Sequence, residues 1–208
     1  PYFSPFSLGA LRYLIASCAL ILVVLLRKMR LPHKKDLPLF LCAGAFGFFF
    51  YMLAFNKGME TVTASTSSII IATVPVITAL IARFIHGEVM RPYQWAAIAI
   101  EFSGILVLTL AGGVFSVNHG LLWLLLAALC LAIYNLLQRK LTKTYSALHA
   151  SAFSIFFGTL LLSIFLPGAL RDAAQAPGIQ LCYIAIMGVG SSAIAYVAWS
   201  KAFSLAKS

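Results

Sequence analysis

Glu101 stands in the middle of an apolar run, Tyr93–Ala111, that holds no other Asp, Glu, Lys or Arg. Counted from Pro92 it is nine residues into that run, roughly 14 Å along a helix that rises ~1.5 Å per residue. A carboxylate surrounded by hydrocarbon costs on the order of 2.5–3.5 kcal/mol or more, so it must be protonated, paired, or open to a wet cavity. Three readings follow and stay open: a carboxyl that takes up and releases a proton, an anchor for a solute amino group, or a neutral acid bonded to a neighbouring helix. Pro75 falls inside another apolar run, where its missing N–H frees carbonyls near Ile71 and kinks the helix, with a hinge as the functional version of the same break. Tyr51, Tyr134, Asn135 and Tyr196 are the aromatic and amide side chains suited to line a polar pocket. Tyr51 and Tyr196 are the preferred pair. Trp123 and Trp199 lie near the ends of their runs, where the interfacial belt is the ordinary place for tryptophan.

Other reactive side chains carry less. Cys18, Cys42, Cys130 and Cys182 sit singly in four different runs and read as small apolar residues, because none has the paired spacing of a zinc or redox site. His33, His86, His119 and His149 are scattered at loops and helix ends and read as solvated surface. Glu88, after Gly87 and before Arg91-Pro92, reads as a charge at the start of the next helix or an ion pair with Arg83 or Arg91. No cofactor and no metal is expected.

Positioning these residues falls to seven apolar blocks: Ser7–Leu26, Leu37–Phe55, Ala64–Ala82, Tyr93–Ala111, Gly120–Leu137, Ala147–Leu166 and Ile179–Trp199. Each has 18 to 21 residues, and a helix needs about 20 to cross the ~30 Å hydrocarbon core. Five lack Asp, Glu, Lys and Arg; the exceptions are Arg12, near one end of its block, and Glu101. The expected fold class is all-α, a polytopic transmembrane helical bundle. A soluble domain of this length could not hide so many helices that are apolar all round.

The gaps between blocks alternate in charge. One side collects twelve Lys and Arg residues, in Arg27–Asp36, at Arg83 and Arg91, at Arg139, Lys140 and Lys143, and at Lys201 and Lys207. The other side has three: Lys57, Arg171 and Arg12 at its membrane edge. Basic short loops stay in the cytoplasm, so the chain is expected to start outside and end inside a cytoplasmic membrane. That asymmetry accounts for the net charge of +10. Nucleic-acid binding is not expected, because the charge sits in short hairpin loops rather than one basic face. Anionic lipid headgroups are the natural partner.

An internal repeat is expected as well. Shifted by 144 positions, Gly44 falls on Gly188, Ala54 on Ala198, Phe55 on Trp199 and Lys57 on Lys201. Ser7–Leu26 then corresponds roughly to Ala147–Leu166. Because Lys57 is assigned outside and Lys201 inside, the repeats are inverted, a plan common among secondary transporters. The small-residue runs Gly44–Gly47 and Gly188–Ser192 suit close helix approach.

The stretch Thr63–Leu110 resembles the second half of the five-helix EamA-type repeat of the drug/metabolite transporter superfamily. The features that carry the resemblance are small residues opening a helix, Pro75 in mid-helix, the Gly87-Glu88 turn, Gln94-Trp95 and Ser103-Gly104. Gly120–Leu141 resembles the opening helix of the second repeat, and Ser191–Phe203 its third helix. Ala97 and Ala99 depart from the pattern, which often has glycine there, and Glu101 departs from an ordinarily apolar or small residue. The resemblance implies ten helices in two inverted repeats. Residues 1–111 would then be helices two to five and residues 112–208 helices six to eight, with one span expected before Pro1 and two after Ser208.

By that resemblance the expected function is secondary transport, by export, of a small polar or amphipathic metabolite such as an amino acid, through alternating access between the repeats. The partners expected are that small molecule, membrane lipids, protons coupled to transport, and a second copy in a homodimer. The alternatives are a membrane-embedded enzyme, which would need clustered His, Asp or metal ligands within spans, and a structural membrane protein without transport activity.

Overall fold

The computed structural model describes residues 2–86, 91–111, 119–195 and 198, and among them seven helical rods account for the chain. They are α1 (Pro5–Leu26), α2 (Lys34–Met59), α3 (Ala64–Ala72 continued by Val74–His86), α4 (Pro92–Ala111), α5 (His119–Leu141), α6 (Ala147–Gln175) and α7 (Gly178–Ile186 continued by Met187–Ile194). Each contains one of the seven apolar blocks or most of it, so an all-α polytopic bundle is the fold. The lipid-facing character is plain on the outer surfaces, where Leu22, Leu25, Leu26, Ile100, Val107, Leu122 and Ile186 are exposed. In a bilayer these side chains replace lipid–lipid contacts rather than facing water.

Serine starts both α1 and α6. Ser4 is extended and its Oγ accepts the Ser7 amide at 3.0 Å; Ser146 is extended and accepts the His149 amide at 3.2 Å. Each hydroxyl satisfies one of the amides a helix start leaves without an intrahelical acceptor. α1 ends at Arg27, and Lys28 follows with φ 48°, left-handed backbone that lets the Met29 amide return to the Val24 carbonyl at 3.0 Å.

α3 breaks where Pro75 requires it. Thr73 ends the first segment and its amide turns back to the carbonyls of Ile70 and Ile71, the latter being the acceptor that Pro75 cannot use. The Thr73 hydroxyl adds a 2.6 Å bond to the Ile70 carbonyl. The kink is therefore repaired within the helix, and Pro75 itself is exposed. α6 runs further than the apolar block that ends at Leu166. Ser163–Phe165 tightens to a 3-10 turn, and Pro167 then sits in the first turn of Leu166–Gln175. A proline there loses no helical hydrogen bond, so it restarts the rod instead of stopping it.

The core is arranged around α2. Its first half packs on α6 and its second half on α5, with α1 also against the second half; α3 lies along α5, and α1 packs along α6 and α7. α1 and α6 are antiparallel, since the Ser4 amide meets Asp172 at the end of α6 while Tyr145, just before α6, meets Asp36 and His33 beyond the end of α1.

Two crossings in this bundle share one plan. A Cβ on Gly44 of α2 would stand 2.6 Å from the Gly158 nitrogen and 2.8 Å from the Ser154 carbonyl oxygen of α6. A Cβ on Gly188 of α7 would stand 2.8 Å from Ile15 Cγ2 and 3.0 Å from the Arg12 carbonyl oxygen of α1. Only glycine allows backbones this close. The helix widens to π geometry at each glycine: over Ala45–Phe50 in α2, directly after Gly44, and over Met187–Ile194 in α7, a segment that contains Gly188.

Candidate functional site

Arg12 is the first residue of the candidate site. α1 starts at Pro5, which puts Arg12 roughly 10 Å along the helix at ~1.5 Å per residue. Its side chain is half-buried, and the Nε atom is buried without a hydrogen-bond partner among the described residues. One terminal nitrogen reaches the Tyr13 hydroxyl at 3.5 Å, and the guanidinium carbon is 5.0 Å from the Tyr13 ring centroid. Such a contact over the ring face is a weak cation–π attraction, which leaves the edge of the guanidinium fork available.

Tyr51 comes to the same place from α2. It is eight residues before Met59, about 12 Å from that end of the rod. Its phenol is within electrostatic reach of both Arg12 and Tyr13. Tyr13 continues inward as an aromatic line: its ring is 5.2 Å from Phe48, edge on, and Phe48 is 5.4 Å from Tyr134. Tyr13, Phe48 and Tyr134 are all buried. The widened π segment of α2 carries Phe48 between the two tyrosines, and the Tyr134 ring lies against Gly47, where any Cβ would collide with it.

Of the residues singled out from the sequence, Tyr51 and Tyr134 thus both face this central region, one beside Arg12 and one at the far end of the aromatic line. Asn135, next to Tyr134 on α5, is exposed and turns to α3, where its Nδ2 donates to Thr78 Oγ1 at 3.4 Å. Pro75 is at the kink described above. Glu101 is on α4, but its side chain lies outside the described residues, as do Tyr196, Glu88 and Trp199 entirely. Trp123 is exposed near the start of α5, in keeping with an interfacial place.

His149 departs from the solvated-surface expectation. It is half-buried, its Nε2 is buried without a described partner, and its ring stacks 4.7 Å from Phe153 and 4.8 Å from Tyr145. The reason is its place in the first turn of α6, facing Phe40 of α2 rather than the outside. Beside it the Tyr145 hydroxyl donates to Asp36 Oδ2 at 2.6 Å and accepts the His33 amide at 3.1 Å, tying the two basic loops together. Burial first, and then the bond to Asp36, push the Tyr145 phenol up from its ordinary value.

Neither Arg12 nor the Tyr145 cluster was legible as a site beforehand. The signal for Arg12 was present, since it is one of two charges inside an apolar block, but the depth depends on where α1 begins. The proline at position 5, behind a serine N-cap, is the feature that marks that start.

The sequence profile of the EamA-like transporter family matches residues 1–110 and again 118–208. The uncharacterised transporter YdfC of Bacillus subtilis is 32% identical over 197 residues, covering 94% of this chain and 64% of that protein. A protein of Streptantibioticus cattleyicolor described as a probable terminal-alkyne amino-acid exporter is 31% identical, over 92% of this chain and 64% of its own length. The chain therefore spans a little under two thirds of these relatives. A solved crystal structure superposes with a TM-score of 0.71 at 21% identity, over 95% of this chain and 70% of the other, which is a likeness of fold.

Proposed function

This chain belongs to the EamA-like transporter family, and on that premise we propose that it moves a small amphipathic metabolite of the amino-acid class across a cytoplasmic membrane, outward, by alternating access. The observation that carries the reading is the paired crossing. Gly44 of α2 meets α6, and Gly188 of α7 meets α1, through corresponding backbone atoms. Next to the stretches of α1 and α6 that meet these glycines, Ser17 and Thr159 share a hydrogen bond at 2.8 Å. The equivalences Ser4 with Ser146 and Ser17 with Thr159 both have the 142-residue separation seen in that bond. This pattern supports two inverted repeats, divided between residues 111 and 112, that rock about the α1–α6 contact. A metabolite of the amino-acid class is supported by the exporter among the relatives and by the pairing of a cation with phenols at Arg12, Tyr13 and Tyr51.

Everted membrane vesicles carrying the complete natural protein test the reading. They should accumulate labelled L-norvaline, a small amphipathic amino acid, above vesicles without the protein. Equal content in the two preparations, for norvaline and for other aliphatic and aromatic amino acids, would remove the proposal.

A further inference from the structure

We propose that Arg12, flanked by Tyr13 and Tyr51, is the anchor for the anionic group of the transported solute, a carboxylate in an amino-acid-like molecule; the assignment rests on the transport reading above. A guanidinium has five N–H donors and no acceptor. Here one of them makes a 3.5 Å contact with Tyr13, and Nε is buried with none. Among the described residues the ion pair present is Lys57–Glu60, at 2.7 Å, so no described acid neutralises Arg12. A cation within an apolar span is costly unless it reaches the interface or meets an opposite charge, and here Nε is buried. A carboxylate fits, because it accepts two parallel bonds from the guanidinium fork.

Packing does not explain the arginine. The position matching Arg12 in α6, by the 142-residue separation, is Ser154. Both present their carbonyl oxygens to the glycine of a crossing helix, where an added Cβ would stand 3.0 Å from that of Arg12 and 2.8 Å from that of Ser154. Ser154 is fully buried and its hydroxyl is satisfied, accepting from Gln138 Nε2 at 3.0 Å and donating to the Ala150 carbonyl at 2.7 Å. The same crossing is thus built with a small self-contained residue in one half and with an under-bonded cation in the other. Tyr13, buried against Phe48, gives the guanidinium a face to rest on, and the Tyr51 phenol lies within electrostatic reach from α2. The cation thus stands among phenols that are neutral near about pH 7. The phosphate of a lipid headgroup has the same chemistry as a carboxylate, but the burial of Nε and Tyr13 puts the donors inside the bundle.

The test measures binding to the purified complete protein with three probes: L-norvaline, its amide, and n-butylamine, which is norvaline without the carboxyl group. L-norvaline should bind and the two molecules lacking a carboxylate should bind far more weakly. Arg12→Gln should weaken norvaline binding at least about tenfold, or about 1.4 kcal/mol, Arg12→Lys should retain part of it, and Tyr51→Phe should show a smaller loss. A matching elution profile in size-exclusion chromatography establishes that each variant is folded. Equal binding of norvaline and its amide, or unchanged norvaline binding in a folded Arg12→Gln protein, overturns the assignment while leaving transport intact. Loss of a phosphatidylglycerol effect in Arg12→Gln with norvaline binding preserved assigns the cation to a lipid headgroup and overturns it as well. If the unaltered protein neither binds nor moves norvaline or any other amino acid, the transport reading fails and the Arg12 assignment falls with it.

Discussion

The hydroxyls of Ser17 and Thr159 meet at 2.8 Å where α1 passes α6, and Thr159 Oγ1 also lies 3.2 Å from the Tyr13 carbonyl. Two polar side chains thus close on each other in the middle of an apolar interface. A bond of this kind contributes about 1 kcal/mol in a protein interior, and rather less in membrane helices measured so far. Its importance is positional. It joins α1 to α6 beside the stretches that meet Gly188 and Gly44.

If the crossings are partners, they should fail in the same way. Gly44→Val and Gly188→Val each drive a side chain into the backbone or a β-branched neighbour of the facing helix. Overpacking of this type costs about 1–3 kcal/mol, more where backbone must move. Thermal unfolding of the purified variants should show losses in that range for both, and a Gly188→Val protein as stable as the parent would separate the two crossings.

Much of this fold could be read from the sequence because hydropathy over 18 to 21 residues is a strong signal in a membrane protein, and the break before Pro75 follows from a missing N–H. The extension of α6 past Leu166 was not readable, since a proline can either stop a helix or start one. The π segments overlap the glycine runs 44–47 and 188–192, but glycine pattern alone says helix packing and not a widened helix. Arg12, Tyr13 and Tyr51 come from two helices whose mutual register is set only by packing, so no local pattern joins them. Tyr51 is legible for its chemistry and Arg12 as a charge inside an apolar block, and only the packing of α1 and α2 brings the two within reach of each other. The pocket pairing of Tyr51 with Tyr196 and the surroundings of Glu101 fall outside the described residues.

The bond between Tyr145 and Asp36 ties the loop before α6 to the loop before α2, and it should resist opening on that side. The phenol must keep its proton to donate. Burial and Asp36 hold its pKa above the ordinary 10.0, so the stabilisation is complete below pH 10 and is lost as pH rises through the raised value. Tyr145→Phe should therefore cost about 1 kcal/mol near neutral pH. The gap between variant and parent, measured by unfolding in detergent, should narrow above pH 10. A gap that stays constant or widens there would rule out the protonated phenol as the source.

Glu101 is the only acid within any apolar block, and we propose that it carries the coupled proton. The observation behind that assignment is its place in an apolar run, where a charged carboxylate is costly. Glu101→Gln in the complete protein should abolish accumulation driven by a pH gradient, while solute exchange, which needs no net proton transfer, continues. Gradient-driven accumulation near the parental level would make Glu101 a structural side chain whose bond glutamine can replace.

The central claim is that the halves beginning with α1 and α6 have opposite orientations across the membrane. Tyr2 and Thr144 test it most directly, because both are exposed and each stands two residues before the serine that caps its helix. Cysteine is placed at one or the other in the complete protein after Cys18, Cys42, Cys130 and Cys182 are replaced, and intact cells are treated with an impermeant thiol reagent. The account predicts that the Tyr2→Cys protein labels from outside and that the Thr144→Cys protein labels only after the cells are opened. Labelling of both from outside, or of neither, would contradict it.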